Sequence, residues 1–442
     1  MIDLVSSVMV WLTAAAAVLL IAAYGVGAPF VLLRTVLFRT RRRRLRYRAR
    51  NDDVLATSRF TIPVSAIVPI GTETPDAVHR VRALLQLRYP EIEVIVVTAG
   101  ADRTLEDLRD AFALTASEVF YRKSLPSAPV RRIFRSTVEP RVLVIDADPA
   151  ATGALLNCGA NLARYRYLAT FDTSARFDNG ALLETMQAAL EDPQRVVGVM
   201  TGLTVAPLEP AENVLDGRPQ TGVLAVLDYL AAARARLLTI GRRRLDLPLG
   251  GCPGFTVWRR DVVVEVGGFA LTATATAADM VLRVHQHFRG DRRRYQMVHV
   301  AEPMGIIDPR AADRLARAAR VPASLLWRHR AMFLNPALGR LGLWDLPRYA
   351  FNQLLAPWIE LGALLLLVAA VPLEVLTAGE LLLVLFVVGL GNGVLTASAL
   401  LLTNEPGGHA ARPAVLFNLL LAGPFEYFTS RPALLLDRFR RP

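Results

Sequence analysis

Strand-like and helix-like runs alternate through residues 60–335, and this alternation restricts the fold more than any other feature of the chain. The apolar runs VSAIVPI (64–70) and IEVIVVTAG (92–100) are typical of strands that are buried on both faces. Between them, TPDAVHRVRALLQL (74–87) has a helix-start signal and apolar residues at helical spacing. The pattern predicts an α/β domain whose mostly parallel sheet is covered on both faces, with ligands bound beyond the carboxyl ends of the strands.

A later strand-like run, YLATF (167–171), ends directly before Asp172. A carboxylate at the end of a buried strand is typical of a metal-binding or catalytic site. A second carboxylate two residues further on would strengthen this interpretation, but the chain has Ser174 there. A serine hydroxyl is a neutral and weaker ligand for a hard cation, so we expect binding of Mg²⁺ or Mn²⁺ to suffer.

Apolar segments of membrane-spanning length flank this domain. Residues 8–33, 352–376 and 380–402 are each long enough for a helix that crosses a bilayer, which takes about 20 apolar residues. Residues 414–428 form a shorter run with a Gly-Pro pair and a glutamate, so we expect a re-entrant or interfacial segment there. The sequence therefore predicts a multi-pass membrane protein with a polar middle.

The arginine-rich run RTRRRRLRYRAR (39–50) follows the first apolar segment directly. By the positive-inside rule it holds the following domain in the cytoplasm and places the N-terminus outside. We expect four parts: an N-terminal transmembrane helix (1–38), a basic cytoplasmic linker (39–59), a cytoplasmic α/β domain (60–335) and a C-terminal membrane region (336–442). The expected location is a bacterial inner membrane.

The charge balance is strongly basic, with a formal net charge of +12. The arginine clusters flank apolar segments and no nucleic-acid-binding motif interleaves with them, so we interpret the charge as a topology signal and a contact with anionic lipid, not with nucleic acid. The two cysteines, Cys158 and Cys252, lie far apart in sequence. This argues against a disulfide framework and a zinc site, and it fits a reducing compartment.

Several segments together resemble the membrane-embedded family-2 glycosyltransferases, which include cellulose, hyaluronan and poly-N-acetylglucosamine synthases. The resemblance covers most of residues 60–440 and lies in the order and spacing of the segments VSAIVPIGTETPDAVHRVRALLQLRYPEIEVIVV, TGALLNCGANLARYRYLATFD, GGCPGFTVWRRDVVVEVGGF, ADMVLRVHQHFRG and AEPMGIIDPRAADRLARAARVPASLLWRHRAMF. It implies a GT-A-type, Rossmann-like domain that takes a nucleotide-sugar such as a UDP-sugar, a glycan acceptor and a divalent cation, Mg²⁺ or Mn²⁺.

Four residues match positions that bind the nucleotide-sugar in that family. Glu73 matches an acidic residue near the nucleoside, and Asn157 lies in the matching helix. Asp172 matches the first metal-binding aspartate. Arg330 keeps the arginine of the family's Gln-x-x-Arg-Trp motif and is the candidate for phosphate contact. The alternatives are a solvated loop glutamate for Glu73 and a basic membrane-facing helix for Arg330.

Other positions of the family's chemical machinery differ here. The family's catalytic aspartate, the general base, corresponds to Ala277, which carries no proton acceptor. Asp279 lies two residues further on, and we expect a helix N-cap from it rather than catalysis. Five further family residues are replaced here: two aspartates by Thr98 and Ala99, a lysine by Thr152, the second metal-binding aspartate by Ser174, and a tryptophan by Ala331.

Because the departures fall on positions whose evident role is chemical, the sequence favours reduced or lost sugar transfer and a partner or regulatory role, beside an active synthase, in cell-surface glycan synthesis. The alternative is an active inverting glycosyltransferase with a remodelled site that uses Asp172 and Glu73, with Asp279 or another acid as the base. A third hypothesis is a membrane module that binds an anionic ligand without chemistry. A divalent metal is expected only for the active alternative.

Overall fold

The computed structural model describes residues 2–33, 37, 58, 61–71, 74, 76–172, 174–190, 192–205, 253–271, 275–290, 293–307 and 321–403. The chain divides into two compact units. The sheet unit comprises residues 46–209 and 242–345, and the helical unit comprises residues 1–45, 210–241 and 346–442. Glu73, the basic run 39–50 and the segment 414–428 lie outside the described residues.

In the described part of the sheet unit, ten strands form one sheet. They are β1 (Val64–Ile70), β2 (Ile92–Ala99), β3 (Leu114–Ala116), β4 (Val130–Ser136), β5 (Val142–Ala147), β6 (Tyr167–Thr170), β7 (Ala175–Phe177), β8 (Val196–Val205), β9 (Pro253–Arg259) and β10 (Gln296–Ile307). Their order across the sheet is β3-β4-β5-β2-β1-β6-β9-β8-β10-β7.

The four central strands β5, β2, β1 and β6 are parallel, and β8 is parallel to β10. The other neighbouring pairs are antiparallel. Every residue of β2 is buried, as expected for a strand that is covered on both faces. The prediction of an α/β fold around a parallel sheet is therefore confirmed at the centre, while the outer strands add antiparallel pairs.

Seven α-helices accompany the strands in the described part of the sheet unit. They are α2 (Ala77–Leu85), α3 (Asp102–Phe112), α4 (Thr152–Leu162), α5 (Ala181–Leu190), α6 (Arg260–Glu265), α7 (Thr276–Gly290) and α8 (Ala323–Arg328). Helix α4 is enclosed by the rest of the unit, since its residues from Gly153 to Leu162 are all buried. A Cβ at Gly159 would stand 2.4 Å from Cγ2 of Ile67 in β1, so this close approach requires glycine.

The helical unit contains α1 (Ile2–Leu20), which continues as a π-helical turn (Ile21–Val26), and then α9 (Leu346–Ala350), α10 (Ala356–Ala370) and α11 (Ala378–Thr403). Residues 7–33 and 378–395 form helices that are long and apolar enough to cross a membrane, and the apolar part of α10, residues 358–370, is shorter. The predicted span at 352–376 therefore contains a shorter α-helix than expected.

The helices of this unit share a small apolar cluster that includes Leu20, Leu367 and Val388. Other large apolar side chains point outward, such as Trp11, which is 75% exposed. Outward apolar side chains suit contact with lipid better than contact with water. By length and composition two of these helices could cross a membrane; membrane association, and the number and direction of spans, stay predictions.

Candidate functional site

Asp172 lies at the carboxyl edge of the parallel strands, two residues after the end of β6. The backbone N–H of Ser174 donates to Oδ1 of Asp172 at 2.7 Å, and the Ser174 hydroxyl donates to the same oxygen. These two bonds form a tight local turn of the kind that short polar side chains favour. Ser174 therefore serves as a hydrogen-bond donor to the retained carboxylate.

Three phenylalanine rings hold the chain in place where it leaves β6. Phe171 stacks on Phe255 of β9 with ring centroids 4.6 Å apart, and it meets Phe177 of β7 edge-on at 5.0 Å. Phe171 and Phe255 are 2% and 0% exposed, so their burial fixes the direction of the backbone before Asp172. The apolar run that predicted a strand thus also positions the carboxylate that follows it.

Asp172 is not part of a described cluster of metal-binding side chains. Within the described ranges, no group of three or more His, Cys, Asp or Glu side chains is placed to hold a metal ion. Hard cations take several oxygen ligands, and their affinity rises with the number of charged ones. One carboxylate, with one of its oxygens already bonded to Ser174, is a poor match for that requirement.

The end of β2 offers little to a nucleoside. Thr98 is buried, and its hydroxyl donates to the carbonyl of Ile145 on the neighbouring strand at 3.2 Å. Ala99 is also buried, and Gly100 follows with a φ of +68°, which turns the chain away from the strand. The family resemblance would place a side chain here that hydrogen-bonds to the nucleoside. In this chain the same positions make contacts within the sheet instead.

Asn157 is fully buried and has a clear internal role. Its Nδ2 donates to the carbonyls of Pro126 and Phe269 at 2.7 and 2.9 Å, and its Oδ1 accepts from the Phe269 N–H at 2.7 Å. The side chain thereby joins α4 to the glycine turn at residues 267–268. A Cβ on Gly268 would lie 2.7 Å from Oδ1, so the turn needs glycine. Contact between Asn157 and a nucleotide-sugar stays a prediction.

The first turn of α7 contains the position of the general base and its neighbouring acid. Ala277 is half-buried and offers a methyl group. Asp279 is 0% exposed, and it is the fourth residue of a helix that begins at Thr276, so it is not the N-cap residue that was expected. Instead, its Oδ2 accepts from Nε of Arg283 at 2.7 Å, and its Oδ1 lies 3.1 Å from Nε2 of His329. The N-cap expectation is wrong because the carboxylate of Asp279 turns inward and bonds to Arg283 and His329.

Arg283 extends this cluster to the glycine turn. Its remaining guanidinium nitrogens donate to the carbonyls of Val266, at 3.2 Å, and Gly268. Arg328 is also near, with Nη1 3.9 Å from Oδ1 of Asp279. We call Asp279, Arg283 and His329 the Asp279 triad. It connects α7, the turn at 267–268 and the residues that follow α8.

Charge balance keeps the Asp279 carboxyl ionised. Burial alone would raise its pKa, but the hydrogen bond with His329 and the positive charge of Arg283 outweigh burial, so the pKa of Asp279 lies below its ordinary value. A carboxylate with a lowered pKa and both oxygens occupied is a weak proton acceptor. The geometry of Asp279 is that of a structural ion pair.

Arg330 lies on the surface and is not part of this triad. Its guanidinium carbon stands 5.2 Å from the centre of the Trp327 ring, in cation–π geometry, and Trp327 is 69% exposed. Ala331, at the position of the family's tryptophan, is exposed too. Phosphate binding by Arg330 stays a prediction.

Sequence reasoning did not find His329. The spacing of four residues between Asp279 and Arg283 was a visible signal for a pair on one helix face. The partner at His329 lies 50 residues away in sequence, so only the fold brings it to the carboxylate.

No protein-family model matches the chain, and no curated protein matches it. Among solved structures, the chain is similar to the mannosyltransferase PcManGT from Pyrobaculum calidifontis, in complex with GDP-Man and Mn²⁺, at 16% identity and a TM-score of 0.50, over 95% of this chain and 99% of that one. It also matches residues 1–349 of TarS from S. aureus at 14% identity and a TM-score of 0.37, over 84% of this chain and 92% of that one. The first likeness shows that the fold is glycosyltransferase-like.

Proposed function

We propose that this chain is a membrane-associated glycosyltransferase-like protein of cell-surface glycan synthesis whose sugar-transfer activity is reduced or lost. It acts as a partner or regulator beside an active synthase. The glycosyltransferase-like fold and the two long apolar helices support the setting. The location follows the sequence hypothesis, with several spans in a bacterial inner membrane and the sheet unit in the cytoplasm.

The state of Asp279 carries this proposal. Transfer of a sugar to a hydroxyl needs a group that accepts the hydroxyl proton. Asp279 is the one acid between residues 275 and 283, and it is fully buried with both oxygens bonded to Arg283 and His329. Removal of a general base slows such reactions by factors of about 100 to 10000.

A nucleotide-sugar remains the best candidate ligand for the carboxyl edge of the sheet. The mannosyltransferase of similar fold was solved with GDP-Man, and the UDP-GlcNAc complex of TarS is a second example of such a ligand. We propose that Asp172, with Glu73, Asn157 and Arg330 as the candidates from sequence, marks this site. We expect its dependence on Mg²⁺ or Mn²⁺ to be weak, because the residue two positions after Asp172 is the neutral Ser174 in place of a second carboxylate.

Calorimetry and a product assay on the full-length protein in detergent test the proposal. GDP-mannose and UDP-N-acetylglucosamine are titrated with Mn²⁺ and with EDTA, and nucleoside diphosphate release is followed with oligosaccharide acceptors. We expect no release above that of the Asp172→Ala variant. The active alternative is supported instead if metal-dependent release occurs and Asp172→Ala abolishes it.

A gain-of-function variant sharpens the test. Ala277→Asp restores a carboxylate at the base position, and Ser174→Asp restores the second carboxylate beside Asp172. Release that appears in the double variant but not in the wild type locates the deficiency at these two positions. Release by the wild type that equals that of the double variant contradicts the proposal.

A further inference from the structure

A cavity of about 610 Å³ lies next to the outer strands β3 and β4. Its walls come from residues 116–121, at and after the end of β3, and from residues 130–133, at the start of β4. Because β4 runs antiparallel to both β3 and β5, these residues lie at the edge of the sheet where the central strands end. This is the edge at which ligands of α/β sheets bind.

The cavity is separate from the Asp172 site. Strands β5, β2 and β1 lie between β4 and β6 in the sheet. Neighbouring strands are about 4.8 Å apart, so the four steps from β4 to β6 amount to about 19 Å. The volume of the cavity falls in the range of about 300–1000 Å³ that small-molecule sites occupy.

Two aromatic residues, Phe120 and Tyr121, join the aliphatic residues that line the apolar part of the cavity wall. Phe120 is 99% exposed, and Tyr121 beside it is half-buried. A single exposed phenylalanine is unremarkable by itself. Its place in the wall of an open cavity makes its ring available to a flat apolar ligand face.

The polar part of the wall is already charge-balanced. Arg131 donates through Nε to Asp148, and Arg132 donates through Nε and Nη2 to Oδ2 of Asp146 at 3.1 and 2.9 Å. Each guanidinium therefore faces a carboxylate. Glu118 is exposed in the wall and adds a negative charge.

This balance decides the chemistry of the ligand. An anion such as a phosphate or a diphosphate would meet guanidiniums that are already neutralised and one additional carboxylate, so it gains little Coulomb energy. A neutral ligand with many hydroxyl groups can use guanidinium N–H donors and carboxylate acceptors without a net charge of its own. A pyranose ring adds an apolar C–H face that stacks on an aromatic ring.

We propose that this cavity binds a neutral saccharide chain, with one sugar ring stacked on Phe120 and its hydroxyls bonded to Arg131, Arg132 and Glu118. The choice of a saccharide over other neutral polar ligands rests on the proposed role in glycan synthesis. The cavity binds the glycan at a distance from Asp172. The sheet unit thereby retains the glycan while the partner synthase elongates it.

Binding of defined oligosaccharides tests this proposal. The full-length protein in lipid nanodiscs is titrated with cellohexaose and chitohexaose, which are neutral, and with a hyaluronan hexasaccharide, which is anionic. Nucleotide is left out and EDTA is present, so the outcome is independent of the Asp172 site. We expect a neutral hexasaccharide to bind more tightly than the anionic one.

Substitutions at Phe120 give the decisive comparison. Phe120→Ala should weaken binding by about tenfold or more, because an aromatic stack and its apolar contact are lost. Phe120→Trp should retain binding. Val138→Ala, at another exposed apolar side chain, is the matched control and should leave the affinity unchanged.

Three results overturn the proposal. They are equal affinity of wild type and Phe120→Ala, failure of both neutral hexasaccharides to bind, and tighter binding of the anionic one. Thermal unfolding of each variant is measured in parallel, and Phe120→Trp separates a lost stack from a misfolded loop. If the hexasaccharides fail to bind but nucleotide-sugar binding is intact, only the saccharide site is refuted and the proposed function stands. If the hexasaccharides bind but nucleotide-sugars do not, the saccharide site stands.

Discussion

Replacement of Asp279 by asparagine should destabilise the sheet unit by about 2–3 kcal/mol. Breaking a buried ion pair costs about 3–5 kcal/mol when a charge is left without its partner. Here the Arg283 side chain is 23% exposed and keeps its bonds to the carbonyls of Val266 and Gly268, which puts the cost below that range. In a unit of this size, each kcal/mol lost from the free energy of unfolding lowers the Tm by about 2–4 °C, so we expect a fall in Tm of about 4–12 °C.

Thermal unfolding of the full-length protein, followed by tryptophan fluorescence, measures this change. Trp258 is fully buried in the sheet unit and donates to Thr256 Oγ1 at 2.8 Å, so its emission reports on this unit. Asp192→Asn is the matched control. Its partner Arg195 is 3.7 Å away on the surface, with the two side chains 37% and 55% exposed, and such pairs contribute about 0–1 kcal/mol.

A double-mutant cycle separates the ion pair from other effects of the substitution. With Arg283→Met in both backgrounds, the coupling between Asp279 and Arg283 should be about 1 kcal/mol or more. The reasoning is refuted if Asp279→Asn melts within 1 °C of the Asp192→Asn control, by the roughly 2–4 °C scale above. A stable Asp279→Asn variant that loses measurable sugar transfer would instead make Asp279 a catalytic base.

Folding lowers the pKa of Asp279. The ionised carboxylate therefore contributes fully to the free energy of unfolding at a pH well above the ordinary aspartate value of about 3.9, and this contribution is lost as the pH falls through the folded-state pKa. The Tm difference between wild type and Asp279→Asn should vanish in acid. Ser174→Asp should raise Mn²⁺ affinity measured by calorimetry, because it places a second carboxylate two residues from Asp172; no change would show that the turn directs the new side chain elsewhere. Gly159→Ala should cost about 1–3 kcal/mol in chemical denaturation because its Cβ has no space, while Gly180→Ala, with nothing within 4 Å, should cost far less.

Local patterns were enough to predict the centre of the fold. The helix expected within 74–87 is present as α2, Ala77–Leu85. The runs 64–70 and 92–100 are β1 and β2, which pair in parallel. These predictions succeed because apolar periodicity and strand burial are properties of a short stretch of chain.

Contacts between distant residues were beyond the reach of those patterns. Strand β9 enters the sheet between β6 and β8 and supplies Phe255, which stacks on Phe171 below the Asp172 turn. The N-cap expectation for Asp279 was wrong because a cap is a local preference, whereas a buried carboxylate follows its nearest cations. The partner His329 comes from another element of the sheet unit.

Three features follow from the amino-acid sequence alone: a carboxylate after a strand-like run at Asp172, the absence of a base at Ala277, and long apolar segments near both ends of the chain. Residue identity and spacing suffice for such statements. Other features are visible only in the folded chain: Ser174 donates to Asp172, Asp279 bonds to Arg283 and His329, and Phe120 lines an open cavity. Burial and charge pairing depend on which distant side chains meet, and only the order of strands and the placement of helices decides that.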